Sequence, residues 1–526
     1  MNSMLAHYEA TRTLADVPDL HPEGTALIFE DRPIGYAELS ASANRVAQAL
    51  IENDVMPGAR VAFVGLDSEK SYEILFGCAR AGAVFVPVNW KLGAEEIAFI
   101  VEDAEAQFLF VTPEVAELAQ RLRTQCPKLR RVIVIDSGTN GPNDYGVWRD
   151  AAPAVRPDFY RADPAAPVVQ VYTSGTSGRP KGVVLAHRGF LDLVREIVRS
   201  GDEFIDWRPG DVALLALPTF HVGGLWWAIQ NLVNGATGVV MKTFDGAKAL
   251  AAIERHRITK LAFVPAMLRF LLSEPACTKT DLSSVGLVIY GGSPMPAPLL
   301  AHAQTLLRCP FAQNYGLSET TNMAIFMPPS EHAALGDERA STAGRPLHGV
   351  SVRIVDRERL DVARGQHGEI AFHTSSRMLG YWKRPKETAE TLVDGWLFTG
   401  DAGYIDERGY LHITDRIKDL IISAGENISP AELEQALQTH PQIEEAAVIG
   451  VPDRRWGEVP VAYVVTTPGS ALTKADIMAH ARSHIAPFKM LYDAILIERL
   501  PRNSTGKVLK RVLREPHWAG HERRVN

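Results

Sequence analysis

Cysteine is scarce in this chain. Its four residues, Cys78, Cys126, Cys277 and Cys309, lie far apart and show no metal-ligand spacing. That argues against a disulfide framework or a clustered zinc site and suits a reducing cytoplasm. Long apolar runs are missing too. The nearest, from Leu225 to Met241, is broken by Gln230, Asn231 and Asn234, so no integral membrane segment is expected. Neither charge dominates: 55 Lys and Arg stand against 62 Asp and Glu, a formal charge of -7 with no long basic run. A nucleic-acid partner is therefore not expected. The first residues, Met1 to Glu9, lack a basic start followed by an apolar core, so no signal peptide is expected and the location should be cytoplasmic. What remains is 46% hydrophobic and 22% charged over 526 residues, which suits a globular enzyme of at least two domains.

Residues from about 25 to 135 alternate short apolar runs with helical patterns. Arg60–Gly65, Ala83–Val88, Phe108–Val111 and Val132–Ile135 read as strands, with helices over Tyr72–Ala81 and Ala94–Asp103. The alternation resumes from 183 to 315 with Ala213–Leu217, Gly238–Met241, Leu261–Pro265 and Gly286–Tyr290. This is the pattern of α/β layers with parallel strands, here two subdomains side by side. The Gly-, Pro-, Asp- and Ala-rich stretch 137–167 reads as a connector. From about 343 to 413 the texture changes to short strands and turns, a small β subdomain. The tail from 418 reads as a smaller, mobile α+β domain, with a helix over Pro430–Leu437 and strands at Ala446–Ile449 and Val461–Val465. The expected domains are 1–417 and 418–526.

One stretch organises the chain: Tyr172-Thr173-Ser174-Gly175-Thr176-Ser177-Gly178-Arg179-Pro180-Lys181-Gly182, after the apolar run Val168–Val171. Glycines let backbone N–H groups turn toward an anion, hydroxyls add donors and Lys181 adds charge, which would suit a polyphosphate. A flexible surface loop is the plainer alternative. A Walker A loop is not, because Gly-Lys-Ser/Thr does not occur and Pro180 precedes Lys181. Further candidates lie at strand ends and turns. They are Tyr290-Gly291-Gly292-Ser293-Pro294, Gln313-Asn314-Tyr315-Gly316-Leu317-Ser318-Glu319-Thr320, Gly395–Asp401, Asp415-Arg416-Ile417-Lys418-Asp419 and Pro501–Lys507. Glycines after a strand let a flat ring lie on the backbone. Tyr315, Ser318 and Glu319 offer an aromatic face, a hydroxyl and a carboxylate for a base, a phosphate and a metal. Asp401 can accept both hydrogen bonds of a ribose diol. Taken singly, the plainer readings are favoured: Tyr315 as a core aromatic, Glu319 as a solvated loop acid and Lys507 as a surface lysine.

In this order, from about residue 25 to Lys510, the set resembles the adenylate-forming superfamily, above all bacterial fatty-acyl and aryl-acid CoA ligases. The resemblance implies ATP, Mg²⁺ and the co-substrate CoA, together with a small-molecule carboxylic acid. It makes Thr173, Ser174, Gly175, Thr176, Ser177 and Lys181 a phosphate loop, with Thr173 and Glu319 toward the metal. Gly291, Gly292, Ser293, Asn314, Tyr315 and Gly316 become the adenine segment, and Ser318 a phosphate contact. Asp401, Ile413 and Arg416 fall on the ribose side. Lys418 becomes an interdomain hinge residue and Gly425 part of a thiol-tunnel loop. Lys507 becomes the lysine between substrate carboxylate and α-phosphate. The implied catalytic set is Lys507, Glu319 and His221. Relatives usually have glycine where this chain has Ala424, which puts the fine geometry of that loop in question.

Pro218-Thr219-Phe220-His221-Val222-Gly223-Gly224 matches the segment beside the carboxylate. There His221 either gates or orients the acid or is a hydrogen-bonded core histidine. The segment has no Asp to hold a substrate ammonium, and Trp226, Trp227, Tyr290 and Met323 are candidate apolar walls, so an acid without an amino group is expected. The implied reaction makes an acyl-adenylate and pyrophosphate, then transfers the acyl group to CoA with release of AMP. Loading a carrier protein is the alternative, and a P-loop NTP hydrolase a more distant one. The sequence leaves a homodimer open.

Overall fold

The computed structural model describes residues 2–139, 141–173, 179–334, 336, 342–423, 426–485, 489–502 and 508–519. The chain divides into two compact units. One is Met1–Ser351 with Phe372–Leu397; the other is Val352–Ala371 with Phe398–Asn526. This division differs from the boundary expected at 418, because the short strands after Ser351 group with the C-terminal portion. Among the described residues no helix is long and apolar enough to cross a membrane.

The first unit holds two large sheets. One runs in the order Arg345–Pro346, Ile325–Met327, Phe311–Tyr315, Leu287–Gly291, Lys260–Phe263, Val212–Leu215, Thr237–Val240, Thr25–Phe29, Arg32–Gly35. Its middle is parallel, from Phe311–Tyr315 to Thr25–Phe29, and its edges are antiparallel. The other runs Gly380–Tyr381, Lys181–Ala186, Pro167–Thr173, Val84–Val88, Arg60–Val64, Phe108–Val111, Arg131–Val134. The central strands are apolar at nearly every position and largely buried, as parallel strands covered by helices on both faces must be.

Two expectations are corrected here. The run 25–135 is not one layered unit: Thr25–Phe29 pairs in parallel with Thr237–Val240, at Leu27↔Gly238 and Phe29↔Val240. Tyr36 fixes that crossing, its hydroxyl donating to Leu232 O at 3.0 Å. Periodicity reports which layer a strand belongs to and not which strand lies beside it. The stretch 137–167 is also not only a connector. It contains a helix, Tyr145–Asp150, whose N-cap Asp144 accepts from Gly146 and Val147 N–H. Its Trp148 and Tyr145 pack edge-on to Phe110 with centroids 5.3 and 5.9 Å apart. At six residues it is too short to show a helical period.

In the second unit, the Asp401–Ile405 end of the strand Trp396–Ile405 pairs antiparallel with Leu411–Arg416, placing Asp401 opposite Arg416. A further sheet orders Glu426–Ile428, Ile421–Ser423, Gly457–Thr466 and Ile443–Asp453, with Asp493–Leu496 on Gly457–Thr466. Helices Pro430–Gln438 and Lys474–His484 bury Leu433, Leu437, Ile477 and Ala481 with that sheet.

Candidate active site

Four parallel strands of the nine-stranded sheet, Val212–Leu215, Lys260–Phe263, Leu287–Gly291 and Phe311–Tyr315, end on the same edge. The carboxyl edge of such a sheet is where α/β proteins place ligands. Gly291 and Tyr315 close two of those strands, and His221, Gly292, Ser293, Gly316, Ser318 and Glu319 follow the ends. Gly291 pairs with Asn314, and a Cβ on Gly291 would stand 2.3 Å from Asn314 O. A Cβ on Gly316 would stand 2.1 Å from Asn322 O. Both contacts are with backbone, so neither position tolerates a side chain without moving the strand ends. Asn314 Nδ2 donates to Asn322 O at 3.2 Å, while its buried Oδ1 has no hydrogen-bond partner among the described residues. A buried acceptor left open is costly unless a ligand donor reaches it, and the exocyclic amine of a purine is such a donor. Tyr315 is half-buried, its ring tilted on Phe372 with centroids 5.9 Å apart.

Ser318–Thr320 is a 3₁₀ turn, closed by Leu317 N–H donating to Thr320 Oγ1 at 2.9 Å. It presents Glu319, whose Oε1 accepts from the Tyr381 hydroxyl at 2.8 Å and whose carbonyl accepts from Met378 N–H at 2.7 Å. The same Tyr381 ring faces Lys181, with Nζ 5.2 Å from its centroid.

The organising stretch is a β-hairpin: Pro167–Thr173 and Lys181–Ala186 pair antiparallel, with Thr173↔Lys181 and Tyr172↔Gly182. Ser174, Gly175, Thr176 and Ser177 lie outside the described residues. The base of the hairpin is firmly held. Tyr172 donates to Asp103 Oδ2 at 2.8 Å and accepts from Gln170 Nε2 at 3.0 Å. Burial and the neighbouring carboxylate push the Tyr172 phenol up, so it remains a donor. Gln170 Oε1 accepts from Arg60 Nε, and the Arg60 guanidinium stacks 3.4 Å over Trp382. Burial lowers Arg60 to about 10, still charged at neutral pH.

His221 is the N-cap of the helix Val222–Val233. Its Nε2 is buried without a hydrogen-bond partner among the described residues. Burial, with a smaller contribution from the Lys91 ammonium, lowers it to about 4, so the ring is neutral at physiological pH. Two residues earlier, Thr219 N–H donates to Asp67 Oδ2 at 3.0 Å and its hydroxyl to Asp67 Oδ1.

The candidate pocket walls are all buried. Trp226 and Trp227 both lie in the main core; Trp227 donates its indole N–H to Leu214 O and packs on Trp207. Tyr290 is buried and donates to Gln313 Oε1 at 3.1 Å, and Met323 is buried as well. On a helix in an α/β layer, an apolar run reads the same whether it faces the core or a cavity.

In the second unit, Arg416 Nε lies 2.6 Å from Asp401 Oδ1, and Asp401 N–H donates to Thr399 Oγ1. Ile413 is half exposed opposite Gly403. Lys418 lies in the 3₁₀ turn Ile417–Asp419, where Asp419 pairs with Arg514 at 2.7 Å. Ala424, Gly425 and Lys507 lie outside the described residues. Sequence reasoning missed Tyr381, Asp67, Asp103 and Trp382; none carries a local signal beyond Gly380-Tyr381 ahead of Pro385.

The chain matches the family described as AMP-binding enzyme over residues 14–382 and its C-terminal domain over 432–507. It is 42% identical over 524 residues to a fatty acid–[acyl-carrier-protein] ligase, ScoC, of Streptomyces coeruleorubidus, covering 99% of each chain. It is 36% identical over 495 residues to a feruloyl-CoA synthase of Amycolatopsis, covering 93% of this chain and 95% of the other. Among solved structures, ATP-bound MatB of Rhodopseudomonas palustris superposes with a TM-score of 0.87 at 30% identity, covering 97% of this chain and all of that one. With both family domains matched and the strand-end site in place, the chain belongs to the AMP-binding enzyme family and is an AMP-forming acid–thiol ligase.

Proposed function

We propose that the protein activates a fatty or aryl acid lacking an amino group with ATP, and passes the acyl group to CoA. The observation that carries this reading is the gathering of Glu319 and Lys181 on one tyrosine beside the Gly291–Asn314 strand ends. A carboxylate attacking ATP meets negative charge everywhere, so the enzyme's work is positioning and charge neutralisation. Tyr315 stacks on the base, and Asn314 Oδ1 takes its amine. The Asp401–Arg416 pair serves the ribose, and Lys181 with the Thr173 hairpin draws charge from the departing pyrophosphate. Lys507 neutralises the attacking oxygen and the α-phosphate. Attack forms the C–O–P bond of the acyl-adenylate as the bond to pyrophosphate breaks. The thiol then attacks the acyl carbon, and AMP leaves.

The donor set fits Mg²⁺. Among the described residues no cluster of three or more His, Cys, Asp or Glu could hold a metal, and Mg²⁺ characteristically takes one or two carboxylates plus substrate phosphates. Glu319 and Thr173 would hold the ion, which when bound offsets charge on the phosphates.

The acid class is supported by the absence of an acid from Pro218–Gly224. Asp67, the carboxylate that reaches this segment, is buried and bonded to Thr219. The identity to ScoC over nearly the full length favours a second reading, in which a carrier protein is the acceptor. A pyrophosphate-release screen over fatty, cinnamic, benzoic and dicarboxylic acids identifies the acid. Mass spectrometry of thioesters formed with free CoA or holo-carrier protein then decides the acceptor. The expected result is acyl-CoA with AMP; acylated carrier without acyl-CoA would overturn the choice, and ADP would overturn the reaction.

A further inference from the structure

Glu319 and Lys181 are 138 residues apart in sequence, one in the turn after the Phe311–Tyr315 strand and the other on the seven-stranded sheet, yet one side chain touches both. That side chain belongs to a short edge strand, Gly380–Tyr381, whose backbone is fixed at several points. Gly380 and Tyr381 pair with Val184 and Val183. Leu379 N–H donates to Val184 O at 2.8 Å and Trp382 N–H to Gly182 O at 2.7 Å. Tyr381 N–H donates to Thr388 Oγ1 at 2.9 Å, and Trp382 Nε1 to Asp103 O at 2.9 Å. Arg384 pairs with Asp103 at 3.0 Å, the same carboxylate that holds Tyr172 at the foot of the hairpin. The ring is therefore tied to the strand that carries Lys181, and from there it constrains the Glu319 carboxylate that it reaches.

We infer that Tyr381 is a positioning residue that sets the metal-facing carboxylate of Glu319 and the phosphate-facing ammonium of Lys181 as one unit. This rests on the assignment of Glu319 and Lys181 above. The hydroxyl occupies Oε1 and leaves the carboxylate with a second oxygen to offer, the way an outer-shell donor orients a metal ligand. The ring face holds the cation at a cation–π distance. Donation of the phenol proton toward a carboxylate raises electron density on the ring, so each contact strengthens the other. A single side chain thereby ties the charge that meets the metal to the charge that meets the phosphates.

Two substitutions separate the contacts. Tyr381→Phe removes only the hydroxyl, and Tyr381→Leu removes the hydroxyl and the face. The probes are Mn²⁺ with ATP, followed by electron paramagnetic resonance, and the Mg²⁺ and ATP dependence of pyrophosphate exchange. In Tyr381→Phe, Mn²⁺ affinity in the presence of ATP should fall about 10-fold with the ATP KM within about twofold. In Tyr381→Leu the ATP KM should rise about 2–5-fold as well. The coupling between Glu319→Gln and Lys181→Ala should be present in the Tyr381 background and absent in the Leu background. If Glu319→Gln weakens Mn²⁺ binding but Tyr381→Phe does not, the inference fails and the role of Glu319 stands. If neither substitution does, both are overturned.

Discussion

Asp67 gives the sharpest test of whether burial governs the chemistry around His221. Its carboxylate is buried and takes two hydrogen bonds from Thr219 and one from Ser71. Burial, only partly offset by those bonds, raises it from 3.8 to about 6. Between those values the folded protein binds a proton that the unfolded chain does not, so stability falls as pH rises through that window. At about 1.4 kcal/mol per pH unit, the penalty is about 1.5 kcal/mol at pH 5 and about 3 kcal/mol above pH 7. Asp67→Asn removes the titration and keeps the bonds, since the amide oxygen accepts from Thr219 N–H and the amide donates to its hydroxyl. Urea denaturation of both proteins, followed by tryptophan fluorescence, should show the Asn variant more stable. The advantage should grow by about 1.5 kcal/mol between pH 5 and pH 8. A gap that does not change with pH, or one that shrinks as pH rises, would refute the reasoning.

Gly316→Ala would place a methyl 2.1 Å from a backbone oxygen, so it should cost about 1–3 kcal/mol and raise the ATP KM, read by melting and pyrophosphate exchange. An unchanged KM would show that the strand end can yield. Lys507→Ala should abolish adenylation while ATP binding by calorimetry stays largely intact; undiminished pyrophosphate exchange would remove Lys507 from its role. Because burial holds His221 near 4, adenylation should show no inflection from it between about pH 6 and pH 8. His221→Ala should change the acid KM without altering the shape of that profile. Loss of an inflection on substitution would mean that the ring titrates in this range.

The reaction class was legible because its residues sit in chain-local motifs at strand ends: Gly291–Ser293, Asn314–Glu319 and the Thr173–Lys181 hairpin each occupy a few consecutive positions. The α/β layering was legible for the same reason, since periodicity is local. What supports those motifs was not. Tyr381 reaches Glu319 across 62 positions and Asp67 reaches Thr219 across 152, and neither residue type is unusual where it stands. Strand adjacency failed similarly. Thr25–Phe29 crosses to the second layer by pairing with Gly238–Val240, and Tyr36 after it bonds Leu232 O, neither of which the local sequence announces. The candidate walls Trp226, Trp227 and Tyr290 show a different limit, because a buried aromatic reads alike in core and pocket.

The carboxylates of the first unit differ in what compensates them, and that difference separates function from scaffold. Glu73 is buried against Arg149 at 2.8 Å with the Tyr145 hydroxyl, and Asp103 lies against Arg384 at 3.0 Å with the Tyr172 hydroxyl. Each has its charge met by a guanidinium, so each fixes structure and has little left for a ligand. Among the described residues Asp67 is met by the neutral donors Thr219 and Ser71 without an ion pair, and burial raises its pKa. Glu319 combines the two remaining conditions. It is half-buried, and among the described residues its carboxylate is met by a phenol without an ion pair. A neutral donor fixes the direction of a carboxylate without cancelling its charge, and partial exposure lets a cation arrive from outside. Of these four acids, Glu319 alone is both oriented and left with a charge to offer, which is what the role proposed for it toward Mg²⁺ and a polyphosphate requires.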